Sequence, residues 1–313
     1  MENAFTANPH SILSAIGNTP TVKLAKIPSA KSADVYVKLE YLNPTGSYKD
    51  RMALAIIEEA ETKGVLKNGM TVIECTAGGT GTSLALVCAA KGYSFKVISS
   101  DAFAAEKLKA MTFFGATLEL FKSDNGKITP DLIPRMIARA EELGNEHGNY
   151  WTQQFKNTDA LTGYHKMGEE VISSVGLVDA LVVSVGTAGM FMGVSAALKH
   201  ANAGVRLIIL EPASAPLISK GIKGSHKVDG IGVGFVPPML SLDSYDTVLA
   251  ISEDEARSMA KRLAKEEGIF GGTSTGLNVV GALRIAEQLG PGKTVVTVAC
   301  DHGMKYMNAG LFD

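Results

Sequence analysis

A chain of 313 residues, 46% hydrophobic and 20% charged, is long enough for two compact lobes with a large core. Its formal net charge of −2 supplies no basic footprint for nucleic acid, and no apolar run reaches bilayer length, which predicts no membrane span. The N-terminal residues lack the basic start and apolar block of a leader. Cys75, Cys88 and Cys300 lie far apart with no metal-like spacing, so a reducing, cytoplasmic setting and no metal site are expected.

Strand-length apolar runs alternate with helix-length amphipathic segments along almost the whole chain. In order, the pattern predicts a strand over 35–39, a helix over 49–63, a strand over 71–74 and a helix over 82–91. It continues with a strand over 95–99, a helix over 104–114, a strand over 117–121 and helices over 130–143 and 158–175. The second half reads as strand 180–185, helix 190–199, strand 205–210, helix 252–267, helix 275–289 and strand 294–299. Ser252 and Glu255 form a capping-box pattern. Residues 212–245 are the one long irregular region. This alternation implies βαβ units: an α/β protein with mostly parallel sheets and helices on both faces.

In such sheets, ligands bind where strand ends lead into helices. The segment Asn43–Arg51 places Lys49 in the first turn of a helix, beside Arg51; both the helix dipole and the guanidinium disfavour a charged amine, and a neutral amine forms Schiff bases. The loop from Cys75 to Ser83 carries glycines at 78, 79 and 81 among hydroxyls, an anion pocket at a helix start or else a tight turn. Gly186-Thr187-Ala188-Gly189-Met190 repeats that logic without a basic residue. It fits neither G-x-G-x-x-G nor an ATP-type P-loop, although Glu211 sits where a ribose-binding acid of a dehydrogenase would be. Gly271–Gly276 opens a helix, with Ser274 or Thr275 as a simple N-cap in the plainer reading. The glycines of 228–235 suit backbone packed on a flat ligand, or an ordinary loop.

Taken in order, these segments resemble the cysteine synthase and cystathionine β-synthase family of pyridoxal-phosphate enzymes, fold type II. Ile16–Leu24 is similar to the family opening I-G-N-T-P-L-V-R-L, and Asn43–Arg51 to the lysine motif N-P-x-G-S-x-K-D-R. Thr76–Gly81 resembles T-S-G-N-T-G, Gln153-Gln154-Phe155 resembles Q-Q-F, and Gly186–Met190 resembles G-T-G-G-T. Gly230–Phe235, Glu267–Gly276 and Asp301–Tyr306 are similar to the later motifs.

The resemblance implies a tryptophan synthase β-subunit-like architecture of two three-layer lobes. Residues 1–40 plus 154–313 are expected to form the larger, cofactor-binding lobe, and 41–153 a smaller mobile lobe. It implies that Lys49 holds pyridoxal 5′-phosphate as a Schiff base and moves the substrate's α-proton. Gly186, Thr187, Ala188, Gly189 and Met190 are expected to bind the phosphate, and Ser274 the pyridine nitrogen, with Gly79 beside the cofactor. Thr76, Ala77, Gly78, Thr80 and Gln154 are expected around the substrate carboxylate, and Gly232 at the mouth. A neutral Ser274 makes the ring a weaker electron sink, which favours loss of a β-substituent over racemisation.

The implied reaction is β-replacement on an O-activated serine through an aminoacrylate, most simply O-acetylserine with sulfide to give cysteine. A homodimer and a docking serine acetyltransferase tail are the partners the family suggests. The alternatives are cystathionine β-synthase, cysteine lyase or desulfhydrase, serine or threonine dehydratase, and a binding homologue that has lost the chemistry.

The chain departs from the family in one place above all. The family's serine is Ala77, its asparagine is Gly79 and its preceding proline is Cys75; in the phosphate loop the central glycine is Ala188 and the last threonine Met190. Each lost polar side chain removes about 1–3 kcal/mol of hydrogen bonding where nothing replaces it, and the pocket grows. This suggests another β-substituent, a bulkier nucleophile, or water as second substrate, with Asp229 and Asp301 as candidate bases or plain structural carboxylates. Cys75 and Cys300 read as packing residues.

Overall fold

The computed structural model describes residues 10–127, 129, 131–309 and 311. The residues read above for a leader, up to 9, and residue 130, the expected start of the 130–143 helix, lie outside the described residues. In chain order the elements are β1 (Thr21–Lys23), β2 (Asp34–Lys38), α1 (Lys49–Thr62), β3 (Thr71–Cys75), α2 (Gly79–Lys91), β4 (Ser94–Ser100), α3 (Ala105–Phe113), β5 (Thr117–Phe121), α4 (Leu132–Gly144) and β6 (Asn149–Trp151). They continue as α5 (Ala160–Val175), β7 (Ala180–Ser184), α6 (Gly189–Ala201), β8 (Arg206–Pro212), α7 (Leu217–Lys220), β9 (Thr247–Ile251), α8 (Glu253–Arg262), α9 (Thr273–Leu289) and β10 (Thr294–Val298).

Two compact units divide the chain. One comprises Met1–Ile16 with Lys49–Ala160, the other Gly17–Tyr48 with Leu161–Asp313. The crossings thus fall at 48/49 and 160/161, where the sequence places them at 40/41 and 153/154.

The first unit holds a four-stranded parallel sheet in the order β5-β4-β3-β6. Side-chain alternation gives the sheet two buried faces. Val72, Phe95 and Val97 pack with Ile57 of α1 and Leu84 of α2, whereas Ile73, Cys75 and Ile98 pack with Leu132, Met136 and Ala140 of α4. A helix layer on each face leaves only the strand ends open to chemistry.

The second unit holds a six-stranded sheet, β1-β2-β10-β7-β8-β9, parallel except for the short edge strand β1. Val35, Val37, Val182, Ile208, Leu210 and Val295 meet Ala256 and Met259 of α8 and Leu277, Val280 and Ile285 of α9 in a single core. The capping box at Ser252 is present: its hydroxyl accepts from Glu255 N at 3.2 Å, and the Glu255 carboxylate accepts from Ser252 N.

Several expected boundaries move. Helix α2 begins at Gly79 rather than 82, so Thr80 and Gly81 are helical. Helix α9 begins at Thr273, with Gly272 as its cap, so Ser274 lies inside the first turn and is not the N-cap. Helix α8 ends at Arg262, and the rest of the expected helix, Leu263–Glu267, widens into a π-helical turn. Strands β1, β6 and β9 and the single-turn α7 were not predicted.

Candidate active site

Lys49 is the first residue of α1 and is 7% exposed; Asp50 and Arg51 beside it are also buried. Asp50 is fixed by the Ser83 hydroxyl of α2, which donates to it at 2.6 Å. Its chain neighbours on the other side are held by the second unit: Ser47 bridges Asp301, and Tyr48 N donates to Cys300 O at 3.1 Å. The chain therefore enters α1 from an anchored segment. Burial, with the nearby charges of Cys300 and Asp301, pushes the Tyr48 phenol well above its ordinary pKa, so it stays neutral.

In the first unit, the loop between β3 and α2 has glycines that side chains of α3 pack against closely. A Cβ at Gly81 would lie 2.2 Å from Met111 Sδ, and one at Gly78 would lie 2.5 Å from Lys107 Cδ. At Gly79 the same atom would meet nothing within 4 Å. Thr76, Thr80 and Gln154 are all buried and joined: Thr80 Oγ1 donates to Gln154 Oε1 at 2.7 Å, Gln154 Nε2 donates to Cys75 O at 2.8 Å, and Gly78 N donates to Thr76 Oγ1 at 3.1 Å. Gly78 offers α2 no side-chain cap, so the backbone N–H groups of the first turn remain donors for an anion. Of the expected carboxylate set, the structure thus brings Thr76, Gly78, Thr80 and Gln154 into one cluster. Ala77 is exposed between them. Burial pushes the Cys75 thiol far up, with the Glu74 charge adding to the shift, so it is no nucleophile.

In the second unit, the loop between β7 and α6 is packed backbone to backbone. A Cβ at Gly186 would lie 2.2 Å from Gly230 O, and Gly232 N donates to Val185 O at 3.2 Å. The 228–235 stretch therefore lies on the 185–189 loop, so its glycines meet protein backbone here. Gly232 itself sits at φ +57°, with its carbonyl 3.0 Å from His226 Nε2. Ala188 adopts φ +69°, a left-handed conformation that costs alanine about 1–2 kcal/mol, and it caps α6 without a side-chain hydrogen bond. Gly189 N reaches Thr187 Oγ1 at 3.4 Å. The α6 dipole and first-turn N–H groups are thus offered to an anion with no lysine or arginine in the loop.

Ser274 lies in the first turn of α9 and is 4% exposed. One turn later, Asn278 fastens that helix to two strands: its Oδ1 accepts from Ser184 N at 2.8 Å, and its Nδ2 donates to Val298 O at 2.9 Å. Asn278 thereby sets the position of Ser274 relative to the end of β7, where the 185–189 loop begins. Sequence reasoning passed over it; a lone amide amid apolar helix residues was the available signal. Thr275 Oγ1 accepts from Cys300 N at 3.2 Å, a further tie to the end of β10.

Two rival roles disappear. The Glu211 carboxylate accepts from Ile218 N at 2.7 Å and Ser219 N at 3.1 Å, and also holds the Ser219 hydroxyl; it closes the α7 turn and is not free for a ribose. Asp301 accepts from Tyr306 Oη at 2.9 Å and pairs through backbone with Ser47, the structural alternative of its two readings.

Residues 12–301 match the family described as "Pyridoxal-phosphate dependent enzyme". The chain belongs to that family. The cysteine synthase of Staphylococcus aureus is 40% identical over 96% of each chain, and the O-ureido-L-serine synthase of Streptomyces lavendulae is 37% identical over 97% of this chain and 93% of its own. The crystal structure of cysteine synthase from Entamoeba histolytica superimposes with a TM-score of 0.91 at 31% identity, over 100% of this chain and 93% of that one. The fold is therefore that of the fold type II pyridoxal-phosphate enzymes, and the protein is a pyridoxal-phosphate-dependent enzyme. The residues present fit that cofactor. The 186–189 turn leads into a helix whose N-cap residue makes no side-chain hydrogen bond, Ser274 is a neutral buried hydroxyl, and Lys49 is a buried amine at a helix start.

Proposed function

We propose that this enzyme catalyses β-replacement on an O-activated serine, with O-acetylserine as donor and sulfide as the simplest nucleophile, releasing acetate and cysteine. The observation that carries this reading is the similarity to cysteine synthase over 96% of both chains, joined to an anion cradle at the start of α2 that suits an amino-acid carboxylate. Pyridoxal phosphate, when bound, supplies the electron sink through which the β-substituent leaves. The Lys49 amine holds the cofactor aldehyde, and once released it takes and returns the proton at the substrate's Cα. The N–H groups of Gly186–Met190 and the Thr187 hydroxyl bind the phosphate, Ser274 meets the pyridine nitrogen, and Gly79 lies beside the cofactor. Thr76, Ala77, Gly78, Thr80 and Gln154 orient the carboxylate, and Gly232 borders the entrance. The unit that contains Lys49–Ala160 tightens on the amino acid and excludes water from the reacting carbon.

A second reading, a nucleophile bulkier than sulfide, is favoured by the open space beside Gly79 and by the similarity to an O-ureido-L-serine synthase. The family pattern further supports a homodimer that docks a serine acetyltransferase tail. The sparse, buried cysteines, none in a disulfide among the described residues, support a cytoplasmic setting, and among the described residues no helix is long and apolar enough to cross a membrane.

The test adds O-acetylserine to the yellow holoenzyme, followed by sulfide or hydroxyurea, while the cofactor spectrum and the amino-acid product are recorded. A spectral shift on O-acetylserine that reverses on sulfide, with cysteine formed, is expected. Faster reversal by hydroxyurea selects the second reading. No shift with O-acetylserine overturns both.

A further inference from the structure

One buried charge in the first unit has no part in the reactions considered so far. Glu74, the penultimate residue of β3, is 2% exposed, and among the described residues no lysine, arginine or histidine contributes to its titration. Such a carboxylate is costly in a sheet interior unless donors meet it. Here they do. Glu74 Oε1 accepts from Cys75 N at 2.7 Å, and Oε2 accepts from Thr152 Oγ1 at 2.5 Å and from Gln154 N at 3.0 Å.

These donors lie where the sheet comes apart. β3 and β6 pair in register from Thr71 with Asn149 to Ile73 with Trp151, and Thr152 N makes the last rung to Ile73 O at 3.1 Å. Beyond it the strands diverge into the 75–81 loop and the 152–154 segment. Gln153 turns left-handed at φ +52°, which brings the Gln154 amide N–H onto Glu74. The Gln154 side chain then reaches back to Cys75 O and Thr80 Oγ1. One carboxylate therefore fixes both ends of the cluster assigned to the substrate carboxylate.

We propose that Glu74 is a positioning residue whose ionised carboxylate holds the Cys75–Thr80 loop and Gln154 in the arrangement that binds the amino-acid substrate, so that its protonation weakens substrate binding. This rests on the reading of that loop as the substrate-carboxylate site.

Burial raises the Glu74 carboxyl to about 6, against the lowering effect of the hydrogen bonds from Thr152, Gln154 and Cys75. The Trp151 indole N–H adds to that lowering, although it makes no hydrogen bond of ordinary geometry. The titratable groups that sense Glu74 are Cys75 and Tyr150, both shifted upward chiefly by burial and both neutral in this range; Asp159 acts on Tyr150.

The geometry also shows where a proton goes. Three donors and no acceptor face the ionised group. Thr152 Oγ1 lies 3.3 Å from Ile73 O, so on protonation the hydroxyl swings to donate there and accepts from the Glu74 carboxyl. The fold keeps its hydrogen bonds, while the Cys75 and Gln154 amides lose a charged acceptor. Because the folded pKa is raised, the ionised group costs stability: the contribution present below about pH 4.5 is lost as pH rises through about 6. Removing the charge therefore should not unfold the protein at pH 8.

The test compares wild-type holoenzyme with Glu74→Gln. The amide of glutamine keeps the shape but turns one N–H toward a donor. The ratio of variant to wild-type KM for O-acetylserine, which cancels the titration of the substrates, is expected at about tenfold at pH 8, converging toward one at pH 5. kcat is expected to change less than twofold, and the melting temperature at pH 8 to be equal or higher. Without substrate, the Cys75 and Gln154 amides of the variant are expected to exchange hydrogen about tenfold faster at pH 8. A KM ratio that is the same at pH 5 and 8, or amide exchange unchanged by the substitution, overturns the proposal. Wild-type enzyme inactive toward O-acetylserine at every pH overturns the functional reading instead, and the exchange measurement then still decides whether Glu74 holds the loop.

Discussion

Two loops of this enzyme share one plan and differ in freedom. Both leave a parallel strand, turn through glycines and open a helix whose N-cap residue makes no side-chain hydrogen bond. In the 185–189 loop the fit is set by backbone: a Cβ at Gly186 would strike the Gly230 carbonyl, and even Ala188 is held in a left-handed conformation. In the 75–81 loop Gly78 and Gly81 are confined by the side chains of Lys107 and Met111, and Gly79 borders open space. The loop assigned to the constant cofactor is locked by main chain, whereas the loop assigned to the variable substrate has room to change. A family can alter its substrate there without disturbing what holds the cofactor.

The comparison can be broken by substitution. Lys49→Ala is expected to have the largest effect, lowering turnover by about 10³-fold or more and abolishing borohydride fixation of the chromophore, read by absorbance and mass spectrometry. Gly186→Ala comes next: forcing a methyl against a carbonyl costs about 1–3 kcal/mol, seen as roughly 10–100-fold weaker pyridoxal phosphate binding or a lowered melting temperature. Gly79→Asn should change stability by no more than about 1 kcal/mol, yet shift the ratio of kcat/KM for sulfide over hydroxyurea toward sulfide; equal losses at Gly79 and Gly186 would erase the contrast between the loops. Cys75→Ala is expected to do least, leaving kcat within about twofold and the enzyme indifferent to thiol reagents, because burial keeps that thiol protonated.

Much of this was legible in the sequence, for physical reasons that also explain the gaps. The long, strongly patterned segments, such as 160–175 and 273–289, declare their period. The three-residue β1 and β6 are too short to show one, and β9, with no fully buried residue before Ile251, has no strong alternation. The start of α2 was misplaced because Gly79 and Gly81 are poor helix formers, and tertiary contacts with Thr76 and Met111 override that preference. Lys49, the 186–190 loop and Ser274 were given their proposed roles through motif order. Glu74 and Asn278 were not, since their importance lies in partners 78–80 and 20–94 residues away in the chain, which no local pattern encodes.

The central claim is that this lysine and these loops perform β-replacement. It is tested most directly by supplying O-acetylserine to the holoenzyme with and without sulfide and quantifying products by nuclear magnetic resonance. Cysteine and acetate in equal amounts with sulfide, and little turnover without it, is the predicted result. Pyruvate and ammonia formed at the same rate whether or not a nucleophile is present would contradict it.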